Sequence, residues 1–164
     1  MRAIWIILAL LGGLVLTSCS QGRHITAPEI TYVLVYKEAR TLYLVHENQV
    51  VKSYPINLGF APVGDKQREG DGKTPEGYYY IDRKNANSEF HLSLGISYPD
   101  THHRATAREA GLEPGGDIFI HGGPNRPEDR NKPDWTAGCI AVSDREIEEI
   151  FSLVKVGTPI AIYP

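Results

Sequence analysis

Residues 134–144 read DWTAGCIAVSD. The small residues Ala137 and Gly138 precede Cys139, and the apolar pair Ile140 and Val142 flanks Ala141. Two readings compete. A free cysteine is commonly a small buried hydrophobe, kept for packing. The same stretch also suits a loop that presents a thiolate. A thiol attacks a carbonyl only as thiolate, and an ordinary thiol is mostly protonated at neutral pH. A histidine within hydrogen-bond reach takes that proton and later returns it to a leaving amine. The candidate is His121, where DIFIHGG (117–123) reads as a strand running straight into glycines. Ala137 and Gly138 add little side-chain bulk, so backbone N–H groups there are able to approach a carbonyl and stabilise the oxyanion that develops. Chemistry alone pairs His121 with Cys139 at this stage, because the chain between them reads as irregular loop.

Outward from that stretch, the clearest local element is the helix that follows it. Ser143 is an N-cap with Glu146 three residues on, a capping box, and Asp144 in the first turn suits the helix dipole. Ile147, Ile150, Phe151 and Val154 recur on one face, Gly157 and Pro159 stop the helix, and TPIAIY (158–163) is a closing strand. Toward the N-terminus, TYVLVYK (31–37), TLYLVHE (41–47) and QVVKSYPI (49–56) are β-branched and aromatic runs with short connections, the pattern of an antiparallel meander. In the second run Leu42, Leu44 and His46 fall on one face and Tyr43 and Val45 on the other.

NLGFAPVGDKQREGDGKTP (57–75) has no apolar period and is predicted to be a long loop, functional or mobile. Its DGKT (71–74) lacks the glycine spacing of a phosphate loop. GYYYIDR (77–83) and FHLSLGISYP (90–99) are further strands, with Gly95 marking a bulge or close approach. Residues 101–111 form a helix closed by Gly111. The fold class is mainly β with one or two helices, without internal repeats.

The first twenty residues, MRAIWIILALLGGLVLTSCS, stand apart. Arg2 is a short basic start, and Ile4 to Leu16 is an apolar run of signal-peptide length. Leu16-Thr17-Ser18-Cys19 resembles the bacterial lipoprotein signal, in which the cysteine thiol is lipidated and becomes the first residue. This divides the chain into a signal peptide (1–18), a lipidated tether (19–29) and a folded domain (30–164). It implies attachment to a membrane through an N-terminal lipid, in the periplasm. Ser20, with no Asp there, favours the outer membrane by the same resemblance. With Cys19 lipidated, Cys139 has no partner for a disulfide. The chain of 164 residues is 41% hydrophobic and 23% charged, which suits one core, and its formal charge of −3 offers nothing to a nucleic acid.

Taken together, HGG (121–123) followed by TAGCI (136–140) resembles the signature of the L,D-transpeptidase catalytic domain (YkuD-type). GKTPEGYYYI (72–81) and VKVGTPIAIY (154–163) are similar to that family's segments in order and spacing, and the likeness spans residues 32–163. The resemblance implies a β-sandwich-like fold with a cysteine beside a cleft. It implies acyl transfer on peptidoglycan stem peptides at meso-diaminopimelate, without metal or organic cofactor. By match, Cys139 is the nucleophile, His121 the base and the Gly122 carbonyl the group that orients the imidazole. Backbone N–H groups around Ala137, Gly138 and Cys139 form the oxyanion hole. One departure is Ala141, where many members carry arginine. GCIA together with SLGISYP (93–99) resembles a short periplasmic lipoprotein branch that releases a lipoprotein from peptidoglycan. That keeps open an L,D-hydrolase acting on stem-peptide or lipoprotein–peptidoglycan links, with such a lipoprotein as partner. A non-catalytic lipoprotein that binds peptidoglycan and a metal-binding module are the remaining alternatives.

Other residues invite roles. His91, Tyr98 and Trp135 are candidate cleft walls. Arg104, Arg126, Arg130 and Lys132 are candidate partners for substrate carboxylates, since the guanidinium fork matches them. Residues 123–135 read as a lid. The adjacent pair His102-His103 suits no zinc spacing.

Overall fold

Alternate residues of β1 (Tyr32–Tyr36) are buried, with Val33 and Val35 inside and Tyr32, Leu34 and Tyr36 outside. That alternation fixes one face of a strand against a core. β2 (Thr41–His46) and β3 (Gln49–Pro55) complete the meander, each antiparallel to its neighbour. A register shift at Leu44/Val45 breaks the expected alternation: Val45 joins Leu42 and Leu44 in the core, and His46 is half-buried. An extra residue in one strand moves the next side chain to the other face. The computed structural model describes residues 28–164. The signal peptide, Cys19 and nearly all of the tether expected from the sequence lie outside the described residues.

β4 (Gly77–Ser88) is the longest strand, twelve residues, and it joins two halves of the sheet. Its first part pairs with β8 (Pro159–Tyr163), and its second part pairs with β5 (His91–Ile96). β5 continues to β6 (Phe119–His121), which runs parallel to the two-residue β7 (Ile140–Ala141). The strand order is β3-β2-β1-β8-β4-β5-β6-β7, with β1 and β8 parallel. The bulge anticipated at Gly95 lies opposite it, where β4 shifts register between Ile81 and Arg83.

α1 (Thr101–Glu109) is capped by the Asp100 carboxylate and ends before Gly111. α2 (Asp144–Leu153) carries the expected capping box, with both of its hydrogen bonds in place. It stops earlier than Gly157: Val154 is extended and fully buried, so the apolar stripe outlasts the helix. α2 packs on β5 and β6, and Ile147 and Ile150 reach the core beside Leu94 and Ile120. Among the described residues the fold is mainly β with two α-helices.

Residues 57–75 are not a free loop. Asn57 bridges Ala141 through two backbone hydrogen bonds of 2.8 Å, and Phe60 N–H donates to the Thr136 carbonyl at 2.9 Å. Side chains complete the docking. Lys37 is buried and donates to the carbonyls of Gly64 and Thr74 and to the Glu76 carboxylate. Buried Lys66 donates to Asp71. A segment without apolar period is thus held by polar groups, each satisfied.

Candidate active site

The parallel pairing of β6 with β7 sets Ile120 against Ile140 and His121 against Ala141. Residues two apart share a face of a strand. Cys139, just before β7, therefore falls beside Phe119, two residues before His121. The thiol accepts from the Phe119 N–H at 3.4 Å and donates to the Asp117 carbonyl at 3.5 Å. Cys139 is half-buried, and it lines a cavity of about 320 Å³ together with His121, Phe90, Ser93 and Asp117. Among the described residues no hydrogen bond joins Cys139 Sγ to the imidazole.

His121 is buried, and its Nδ1 lies 2.7 Å from the Gly122 carbonyl oxygen. A carbonyl only accepts, so Nδ1 carries the proton and Nε2 is left as a base. Phe90 packs over the ring at 4.5 Å between centroids, and Trp135 stands at 5.6 Å. Burial holds the His121 pKa below the ordinary imidazole range, only partly offset by the Gly122 hydrogen bond. Burial likewise pushes the Cys139 thiol up; the Asp117 charge adds to this, and the Phe119 N–H and Lys66 oppose it. The resting pair is neutral thiol and neutral imidazole.

A glycine at 122 is a packing requirement: a Cβ there would stand 2.6 Å from the Asp144 carboxylate and 2.9 Å from Ile147. The same carboxylate accepts from Gly123 N–H at 2.8 Å, which ties the start of α2 to the histidine turn. Asp144, read from sequence as helix structure alone, therefore also fixes the segment that carries His121.

The cysteine loop is organised by Thr136. Its hydroxyl donates to the Cys139 carbonyl at 2.7 Å and accepts from Gly138 N–H at 3.1 Å. The Gly138 N–H, expected as an oxyanion donor, is thus engaged by the Thr136 hydroxyl in this structure. Gly138 is needed for its backbone: φ is +138°, and a Cβ would meet the Lys73 carbonyl at 2.7 Å. The N–H groups of Ala137 and Cys139 have no acceptor among the described residues, and Ala137 is exposed.

Other candidates separate by location. His91 does not line the cavity: its backbone is left-handed (φ +70°) and its ring turns to Glu148 on α2 at 2.8 Å. Arg104 lies on α1 beside Arg108 and Glu113, in a different groove from Cys139. Tyr98 is buried and donates to the Pro114 carbonyl. Arg126, Arg130 and Lys132 are exposed and do not line the Cys139 cavity. Of the aromatics singled out from the sequence, Trp135 is the one that reaches the histidine. His103 is enclosed between Asp100 and Asp65. Among the described residues no three His, Cys, Asp or Glu side chains are placed to hold a metal ion. Ala141 is fully buried between Asn57 and His121, the position where arginine was noted as missing. Asp117, Phe119 and Phe90 were not singled out from sequence. The period-2 pattern of DIFIHGG places 117, 119 and 121 on one face, and that was the available signal.

A mainly β domain with a histidine on one strand and a cysteine just before its parallel neighbour, around one cavity, is the class that fold and site define. The L,D-transpeptidase catalytic domain family (YkuD) matches residues 30–162, and the chain belongs to it. Among its relatives, YafK of Escherichia coli (strain K12) is 32% identical over 146 residues, covering 81% of this chain and 53% of its own. The chain thus spans about half the length of the curated relatives it matches. Among solved structures, Bd1075 of Bdellovibrio bacteriovorus superposes with a TM-score of 0.60 at 25% identity, over 82% of this chain and 48% of that one. The helical cell shape determining protein Pgp2 of Campylobacter jejuni gives 0.62 at 24%, with the same coverage of both chains.

Proposed function

We propose that the domain is a cysteine-dependent acyl-transfer enzyme acting on peptidoglycan stem peptides at the L,D bond of meso-diaminopimelate. The observation that carries this reading is the fixed His121 tautomer, with basic Nε2, in the cavity that Cys139 also lines. His121 Nε2 accepts the Cys139 proton as the thiol leaves the Asp117 carbonyl. The thiolate adds to the substrate carbonyl, and the oxyanion is held by the Cys139 and Ala137 N–H groups. The C–N bond then breaks, the imidazolium returns its proton to the leaving amine, and a thioester remains. An amine or water, deprotonated by the same imidazole, attacks the thioester and frees Cys139. An amine acceptor makes the enzyme a transpeptidase; water makes it an L,D-hydrolase of stem-peptide or lipoprotein–peptidoglycan links, as in the short lipoprotein branch that the GCIA motif resembles.

The test is incubation of the protein, and of Cys139→Ala, with defined muropeptides and a lipoprotein-linked muropeptide. Cross-linked dimers report transpeptidation, and released stems or lipoprotein report hydrolysis. Identical product patterns from both proteins would overturn the catalytic reading. Lipid anchoring at Cys19 in the periplasm, toward the outer membrane, is part of the same proposal. It rests on the Leu16–Cys19 pattern and predicts acyl-chain labelling that Cys19→Ala abolishes.

A further inference from the structure

The outward face of the sheet across β2, β1, β8 and β4 is built of tyrosine. The registers set Tyr36 beside Tyr163, and Tyr43 across from Leu34. Leu34 in turn faces Ala161, which pairs with Tyr78. Tyr32 and Tyr80 lie in the adjoining rungs. Ring centroids step across the face at 6.0 Å from Tyr43 to Tyr36, 5.3 Å from Tyr36 to Tyr163 and 6.1 Å from Tyr163 to Tyr78. Tyr78 and Tyr80 are 69% and 60% exposed. The other tyrosines, Tyr54, Tyr79 and Tyr98, are buried. Exposed aromatic surface of this extent marks an interaction site.

The chemistry of the face narrows its occupant. In a chain that is 23% charged, the outward positions around the tyrosines carry Tyr, Leu, Thr, Pro and Ala, and the next outward residue of β4 beyond Tyr80 is the acidic Asp82. An anionic lipid surface would call for Lys or Arg there. What the face offers is aromatic faces with phenol hydroxyls at their rims, each able to donate and accept. That fits a neutral, hydroxyl-rich polymer whose sugar rings present C–H faces to stack and acetamido groups to hydrogen-bond. The glycan strand of peptidoglycan is neutral in this sense, because its lactyl carboxyl is consumed in the amide to the stem. Beyond Tyr36 and Tyr163 the chain reaches Lys37 and Pro164, which line a separate cavity of about 640 Å³ with Val63, Pro133 and Asp134 and with the charged Glu38, Arg40 and Glu76. Asp134 stands in the chain shortly before Cys139, whose own cavity has a different lining.

We propose that this tyrosine face docks the glycan strand of the polymer whose stem peptide is delivered to Cys139. The proposal rests on the reading of peptidoglycan as substrate, and sugar binding is measured without catalysis. The probe is an uncharged N-acetylglucosamine hexamer, followed by amide chemical shifts of the full chain. The expected result is perturbation at Tyr36, Tyr78, Tyr80 and Tyr163, with affinity reduced about tenfold in Tyr78→Ala/Tyr80→Ala. The Tyr78→Phe/Tyr80→Phe variant, which keeps both rings, retains most of the affinity. The Ala variant keeps a dispersed spectrum and full reactivity of Cys139 toward an acylating inhibitor. No perturbation at saturating sugar, or perturbation confined to the Cys139 cavity, overturns the proposal. So does line broadening of the same residues with protein concentration alone, which would assign the face to a second copy. Failure of Cys139 to form an adduct, with sugar binding intact, defeats the catalytic reading and leaves this one standing.

Discussion

Cys139 is held as a neutral thiol by what surrounds it. Burial raises its pKa above the ordinary cysteine range, and burial lowers that of His121, so proton transfer from sulfur to imidazole is uphill before substrate arrives. In the absence of substrate, the alkylation rate with iodoacetamide is therefore expected to keep climbing through and beyond the range where free cysteine levels off. A rate already flat at neutral pH would show a resting thiolate and refute this. Two residues upstream of Gly138, Thr136 spends its one hydroxyl on both sides of the cysteine loop. Thr136→Val keeps the shape and strands a buried N–H and a carbonyl, a loss of about 1–3 kcal/mol. Urea unfolding measures it, and turnover is expected to fall further than stability because the Cys139 backbone loses its brace. An unchanged urea midpoint would mean that water replaces the hydroxyl.

At the scale of elements, the start of α2 serves two structures through neighbouring residues. Ser143 closes the capping box, whereas Asp144 reaches out to Gly123 N–H. Ser143→Ala is expected to cost about 1 kcal/mol of stability while activity per folded molecule holds. Asp144→Ala is expected to reverse that balance: a small change in melting and a marked loss of activity, as the turn after His121 loosens. Equal effects of the two variants on activity would remove Asp144 from any positioning role. α2 was also the element most legible in the sequence, since its cap, dipole and apolar stripe are all local. The meander was legible for the same reason, except at the Leu44/Val45 shift, which no alternation reveals. The motif pair around His121 and Cys139 pointed to each other by chemistry. Their proximity depends on β6 and β7 running parallel across a long separation, which periodicity does not encode. The need for glycine at 138 was hidden for a related reason: a Cβ there would meet the carbonyl of Lys73, which is remote in sequence.

For the whole molecule, the decisive long-range device is the segment 57–75, which carries no hydrophobic stripe yet buttresses the cysteine loop. Asp71 is its centre. Burial opposes its charge, but hydrogen bonds from Lys66, Gln67, Lys73 and Arg68 outweigh that and bring its pKa down to about 2. A carboxylate whose folded pKa is depressed contributes stability that is fully present above its unfolded pKa, about 3.9. That contribution is lost as pH falls toward about 2. Urea midpoints are therefore expected to fall across that acid window in the native chain. Asp71→Asn is expected to be less stable at neutral pH, with a shallower acid decline, because the Lys66 ammonium, 3% exposed, loses its counter-charge at every pH. Since Lys73 belongs to the same cage and its carbonyl abuts Gly138, loosening the cage reaches the cysteine. Asp71→Asn should thus lower Cys139 acylation at neutral pH even where the protein remains folded. Parallel acid curves for the two proteins, with equal acylation rates, would show that the cage is local and that the cysteine loop stands without it.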